Sequence, residues 1–114
     1  MGNYESHIPQ TKKAIEEAIE RTLEAVGIAG ESWIIPITPV GEYDNGRQGG
    51  NLRDSNGYKI DVREQSVAFY NTAEYAPYVE LGTSRMDAQS FLREGIEGNI
   101  ERIKSLVSEM MKID

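Results

Sequence analysis

Between Thr11 and Val26 the apolar positions Ile15, Ala18, Ile19, Leu23 and Val26, joined by Thr22, recur at intervals of three and four. Lys12, Lys13, Glu16, Glu17, Glu20, Arg21 and Glu24 fill the positions between them. That period predicts an amphipathic helix. Thr11 suits its N-cap, Gly27 a left-handed terminating turn, and Glu17 and Arg21 stand four apart in the favourable order. Burying the isoleucine, leucine and valine stripe contributes about 1.5–3 kcal/mol per large side chain, against about 0.2–0.5 kcal/mol for a surface ion pair. Packing therefore holds this helix in place.

The segment Trp33–Val40 is rich in β-branched and aromatic residues, but Pro36 and Pro39 cannot donate ladder hydrogen bonds. It reads as an edge strand or extended segment. Residues 41–57 hold glycine, asparagine, aspartate and arginine, with Tyr43 and Leu52 as the sizeable apolar side chains, and read as a long flexible loop. Tyr58, Ile60 and Val62 then alternate with Lys59, Asp61 and Arg63, and Val67, Phe69 and Asn71 with Ala68 and Tyr70. Two antiparallel strands joined by a tight hairpin follow from that period of two. From Ala88 to Ile113, Leu92, Ile96, Ile100, Ile103, Val107 and Met110 return to helical spacing, which predicts a second long amphipathic helix. Gly95 and Gly98 inside it each cost about 1 kcal/mol relative to alanine and mark close packing, a bend or late ordering.

The resulting fold class is α+β: an N-terminal helix, a small antiparallel sheet with a long flexible loop, and a long C-terminal helix packed on the sheet. A chain of 114 residues has room for one domain, 1–114, with residues 1–10 read as a disordered start. Twelve basic against nineteen acidic residues leave a net charge of −7, which disfavours sequence-independent binding to a phosphate backbone. The chain has no cysteine, so disulfides, thiolate metal sites and cysteine nucleophiles fall away together. No apolar run is long enough for a membrane-spanning helix and Met1–Gln10 lacks the layout of a signal peptide, so a soluble, unexported chain is expected. Gly2 and Ser6 satisfy a bare myristoylation pattern, which is too permissive to outweigh an ordinary start.

Candidate chemistry is sparse. The lone histidine, His7, stands remote from any serine–glycine turn, and one histidine without cysteine cannot build an ordinary zinc site. Glu42–Gly46 lacks the phased oxygen ligands of a calcium loop, and Gly46, Gly49 and Gly50 lack the lysine and hydroxyl of a phosphate cradle. Glu74, Glu80 and Asp87 could converge for acid–base work, but surface or capping roles are the ordinary fate of such carboxylates. The reading is no enzyme, no cofactor and no metal.

One run stands apart: Tyr75-Ala76-Pro77-Tyr78-Val79-Glu80-Leu81-Gly82-Thr83-Ser84-Arg85-Met86-Asp87-Ala88-Gln89-Ser90-Phe91-Leu92-Arg93. It resembles the hallmark of the tail-component family of lambdoid and related long-tailed bacteriophages and prophages. Pro39-Val40 and Gly50–Ser55 resemble that family's upstream segments, Gly41–Gln48 looks like an insertion between them, and Asp87 and Ser90 stand where many members have proline. Aspartate and serine suit a helix cap as proline suits its first turn, so either choice can open the last helix. The resemblance implies a virion structural protein of the tail or head–tail junction, built in the host cytoplasm and acting in tail completion or head–tail joining. It also implies partnership with connector and tail proteins, assembly as a homo-oligomer, and no specific nucleic-acid binding, although DNA could pass through the assembly.

Tyrosine, methionine, arginine and phenylalanine, which are enriched in protein interfaces, crowd the same run. Tyr75, Tyr78, Glu80, Gly82, Thr83, Arg85, Met86, Gln89 and Phe91 are accordingly the candidate assembly interface, and Arg47, Leu52 and Arg53 a candidate assembly loop. The competing reading is a small acidic ligand-binding module or carboxylate enzyme unrelated to virion assembly. A pocket with perturbed titrating groups would mark it.

Overall fold

The computed structural model describes residues 4–40 and 51–112, the side chains of 4–10 excepted. Helix α1 spans Tyr4–Ile34, 31 residues, and at 1.5 Å per residue is about 46 Å long. It therefore begins before Thr11, which is not its N-cap, and residues expected to be disordered are helical from Tyr4 onward.

Gly27 does not end α1 either. The helix runs through Gly27 and Gly30 because aromatic rings take the space that side chains would fill, Tyr58 lying on Gly27 and Phe69 on Gly30. The gain from seating two aromatic rings outweighs the glycines' cost of about 1 kcal/mol each. Tyr58 also donates its hydroxyl proton to Glu24 Oε2 at 2.8 Å.

The helix stops at Ile34 because Pro36 disfavours helical geometry in the residue before it. A single 3₁₀ turn, Ile35–Ile37, replaces the expected edge strand. Thr38 finishes the turn, its N–H donating to Ile35 O at 3.2 Å and its hydroxyl to Ile34 O at 2.7 Å, so two carbonyls orphaned by the helix end find donors.

Residues 51–57, expected in a flexible loop, are ordered: helix α2 spans Asn51–Asp54 and strand β1, Asn56–Asp61, follows after Ser55. The Gly41–Gln48 insertion and Arg47 lie outside the described residues. Strand β2 spans Ser66–Asn71 and pairs antiparallel with β1, Tyr58 opposite Phe69 and Ile60 opposite Val67. Those four side chains share the face turned towards α1, as the alternation predicts. Val62 falls in the turn, where Gln65 takes a φ of 53°.

An amide network ties the open end of the hairpin. Asn56 Nδ2 donates to Thr38 Oγ1 at 2.9 Å and to Arg53 O at 3.1 Å, Asn71 Nδ2 donates to Asn56 Oδ1 at 3.0 Å and to Leu52 O, and Asn71 Oδ1 accepts from Ala73 N–H at 2.9 Å.

The expected single C-terminal helix is divided. A short helix α3, Ala76–Leu81, precedes it, and the expected Ala88–Ile113 helix forms as two pieces, α4 at Phe91–Glu97 and α5 at Ile100–Met110, with Gly98 and Asn99 between them. Gly95 marks close packing and Gly98 the break. The α4–α5 segment lies antiparallel along α1, Gly95 against Ile34 and Met111 Sδ 3.2 Å from the Thr22 hydroxyl, rather than chiefly on the sheet.

The core gathers at the C-terminal end of α1. Ile34 and Phe91 are each 1% exposed, with Leu52, Ala73 and Ala76 buried beside them and Phe69, Val79, Leu92 and Ile96 around the rim. A second, smaller patch of Thr22, Leu23 and Val26 is buried midway along α1. Among the described residues no helix is long and apolar enough to cross a membrane. The molecule measures 74 × 23 × 23 Å with a radius of gyration of 19.2 Å, against about 13 Å for a compact domain of this length.

Two tests follow from this packing. A β-carbon at Gly95 would fall 2.6 Å from Ile34 Cγ1 and 3.2 Å from its Cα. Helix propensity favours alanine by about 1 kcal/mol, but overpacking a core costs about 1–3 kcal/mol. Gly95→Ala should thus lower the urea midpoint rather than raise it. Donation to Glu24, with smaller contributions from burial and from the charges of Glu24 and Glu31, raises the Tyr58 pKa above 10.0. A folded-state pKa above the unfolded one stabilises the protein below pH 10 and is lost as pH rises through the folded value. Tyr58→Phe should reduce stability at neutral pH and flatten its decline above pH 10 in alkaline melts.

Candidate functional site

The run Tyr75–Arg93 folds as a helix, a closed loop and a second helix start. Pro77 in the first turn of α3 needs no hydrogen-bond acceptor, and Ala76 faces the core. The helix ends at Gly82, whose φ of 78° belongs to glycine and whose N–H donates to Tyr78 O at 2.8 Å. A β-carbon there would also fall 2.7 Å from the Ala88 backbone nitrogen.

The loop closes on itself. Thr83 N–H donates to Met86 O at 2.8 Å, Met86 N–H returns to Thr83 O at 3.3 Å, and Arg85 N–H reaches Thr83 Oγ1 at 3.2 Å. Gln89 N–H then donates to Val79 O at 2.8 Å, bringing the chain back beside α3.

Glu80 makes the joint. Its carboxylate accepts from Leu92 N–H at 3.1 Å and Arg93 N–H at 3.0 Å, two of the amides that the first turn of α4 leaves unpaired. A negative charge at that helix start is also favourable. Ser90 occupies the N-cap position, but its hydroxyl donates to Glu80 O at 2.8 Å and makes no cap hydrogen bond. The capping expected of Ser90 is thus performed by a glutamate ten residues earlier.

Of the nominated interface residues, Tyr75, Tyr78, Thr83, Arg85, Met86 and Gln89 are exposed. Glu80 and Gly82 are half-buried and set the joint. Phe91, at 1% exposure, is a core residue, and so is Leu52, at 3%; burial removes both from any surface role. Arg53 is exposed on α2, its Nε 3.7 Å from Asp54 Oδ1.

Sequence reasoning missed part of the surface. Tyr70 on the outer face of β2, with Pro77 and Leu81 of α3 and Leu92 of α4, lines an open groove of about 360 Å³. Leu81 is 78% exposed and Tyr78 61%. Leu81 was legible as an apolar residue beside the turn, whereas Tyr70 becomes a neighbour only once the hairpin is laid beside α3. Tyr78 on α3 and Tyr75 at its N-cap stand exposed on the helix that walls the groove.

Glu80 is engaged at the helix start, Glu74 and Asp87 are exposed, and among the described residues no group of three or more histidine, cysteine or acidic side chains is placed to hold a metal. Tyr58, whose pKa is raised, lies against Glu24 on α1 and does not line the groove.

The family model described as bacteriophage HK97-gp10, putative tail-component, matches residues 6–82, about two thirds of the chain. The chain belongs to that family. It is a phage tail-related structural protein, a component of the virion that meets other phage proteins. The HK97-gp10 match runs from α1 through the hairpin and α3 to Gly82, so the Tyr75–Gly82 half of the run lies inside it and Thr83–Arg93 outside. No curated protein matches the chain. No solved structure matches it either.

The joint yields a prediction for this HK97-gp10 relative. Glu80→Ala, which removes both acceptors from the start of α4, should lower stability by about 1–2 kcal/mol in urea denaturation. Glu80→Gln keeps one acceptor and should lose less. Gly82→Ala, strained by its φ and by the Ala88 backbone, should lose at least as much as Glu80→Ala.

Proposed function

We propose that this tail component acts at the head–tail junction, completing the tail or joining it to the head through protein–protein assembly alone. The observation that carries the reading is a set of large apolar and aromatic side chains left exposed around α3 among the described residues. Tyr70, Tyr75, Tyr78, Leu81 and Met86 all stand exposed around one joint built on a rigid support. Monomers rarely expose contiguous apolar patches of this kind unless they bind something.

Shape supports the same reading. The chain exposes 8705 Å², against about 6,300 Å² for a compact monomer of its mass. An elongated subunit with surplus surface is what a multi-subunit collar uses, since closing a ring requires two different complementary patches on each copy. The rim around α3 is one patch, and the second lies elsewhere on the rod-shaped body. Copies of the chain form the homo-oligomer, head connector and tail proteins are its neighbours, and assembly takes place in the host cytoplasm. The acidic excess suits a passage through which DNA slides without adhering.

Deletion of the gene from an inducible phage or prophage, followed by electron microscopy of the lysate, tests the role. Separate heads and tails, or tails of faulty length, are the expected outcome, and normal infectious particles would remove the assignment. In the same background Tyr78→Ala and Arg85→Glu should abolish joined particles. Their melting curves should stay close to the parent's, because exposed substitutions shift stability by only about 0.5 kcal/mol.

A further inference from the structure

Helices α4 and α5 follow one another directly but are held very differently. In α4, Phe91 is fully buried, Gly95 presses its backbone onto Ile34, and Glu80 caps the first amides. In α5, Ile100, Ile103, Leu106, Val107 and Met110 lie on one side at helical spacing, yet none is buried. Ile100 remains 44% exposed and Val107 37%.

Beneath the end of α5 lies an apolar crevice of about 190 Å³ lined by Ile19, Leu23, Val26, Val107 and Met111. The Thr22 hydroxyl lies 3.2 Å from the Met111 thioether across it, but its one proton is better placed on Ala18 O of its own helix at 2.7 Å, and a thioether is a weak acceptor. The contact between arm and strip is apolar, incomplete and poorly latched.

The break between the two helices is arranged so that α5 can leave without disturbing α4. Gly98 N–H donates to Glu94 O at 3.0 Å, Asn99 N–H to Ile96 O at 3.1 Å, and Asn99 Nδ2 to Gly95 O at 2.7 Å, so the end of α4 is satisfied locally. The ladder of α5 starts afresh with Ile103 N–H to Asn99 O at 3.0 Å. Rotation at Gly98–Asn99 leaves the ladders within α4 and α5 intact and gives up only the Asn99 bonds to Ile96 O and Gly95 O that bridge them.

We propose that α5 is an exchangeable arm, which swings off its own α1 about Gly98–Asn99 and docks on the Ile19–Val26 strip of a second copy of this chain. The occupant follows from the structure itself. The strip already receives Val107 and Met111 of this helix, so an identical helix from a second copy meets a surface that needs no further complementarity. The exchange links copies through a surface apart from the α3 rim and does not rest on the head–tail reading.

The chain has no cysteine, so introduced thiols report without background. Purified Thr22→Cys and Met111→Cys chains, mixed in equal amounts and oxidised, should form the mixed 22–111 disulfide about tenfold in excess of random pairing, because docking raises the local concentration of the two thiols. The double variant, which closes within one chain, shows that both thiols react. Random proportions of the three disulfides, or no mixed species, would overturn exchange. On the unaltered chain, amides of α5 should exchange with deuterium as a group, about tenfold or more faster than those of α4. Equal protection across Gly98–Asn99 would overturn the hinge.

Discussion

The architecture depends on the burial of Ile34 at the last turn of α1. That side chain meets the backbone of Gly95 and shares the core with Phe91, Leu52, Ala73 and Ala76, so the 3₁₀ turn, α2, the hairpin exit, α3 and α4 all converge on one helix end. Among the described residues nothing comparable exists along the rest of α1. The smaller patch at Thr22, Leu23 and Val26 is covered by α5, and Thr11–Glu17 are exposed throughout. A 31-residue helix with its core at one end cannot close into a sphere, and the elongated shape follows from that asymmetry.

Elements whose signal is a period were legible in the sequence. The stripe from Ile15 to Val26, the alternation around Tyr58–Ile60 and Val67–Phe69, and the return to helical spacing at Leu92 each correspond to an observed element. Boundaries were not, because tertiary contacts decided them. Gly27 reads as a stop signal until the ring of Tyr58, distant in sequence, is seen to occupy the space its missing side chain leaves. Leu52 reads, with Tyr43, as one of two sizeable apolar side chains in a polar stretch until the Asn56–Asn71 network is seen to hold α2 over the core.

The candidate site was legible for a similar reason and to a similar depth. Tyr75, Tyr78, Arg85 and Met86 are exposed side chains of interface-prone types on one connection, which local composition alone can suggest. Glu80 and Phe91 sit in the same run and look equally eligible, but their roles are fixed by partners that residue type does not reveal, a helix start in one case and Ile34 in the other. Tyr70 escaped notice because the groove it lines joins β2 to α3 and α4, and no linear pattern records that juxtaposition.

The joint at Glu80 separates geometry from identity. Two hydrogen bonds accepted by one carboxylate and a glycine in a left-handed conformation set the angle between α3 and α4, and none of those atoms belongs to the exposed side chains around them. Tyr75, Tyr78, Leu81 and Met86 can be rewritten one at a time while the angle that presents them persists. A subunit built in this way can track a partner that drifts in sequence, trading old contacts for new ones over generations without first having to refold.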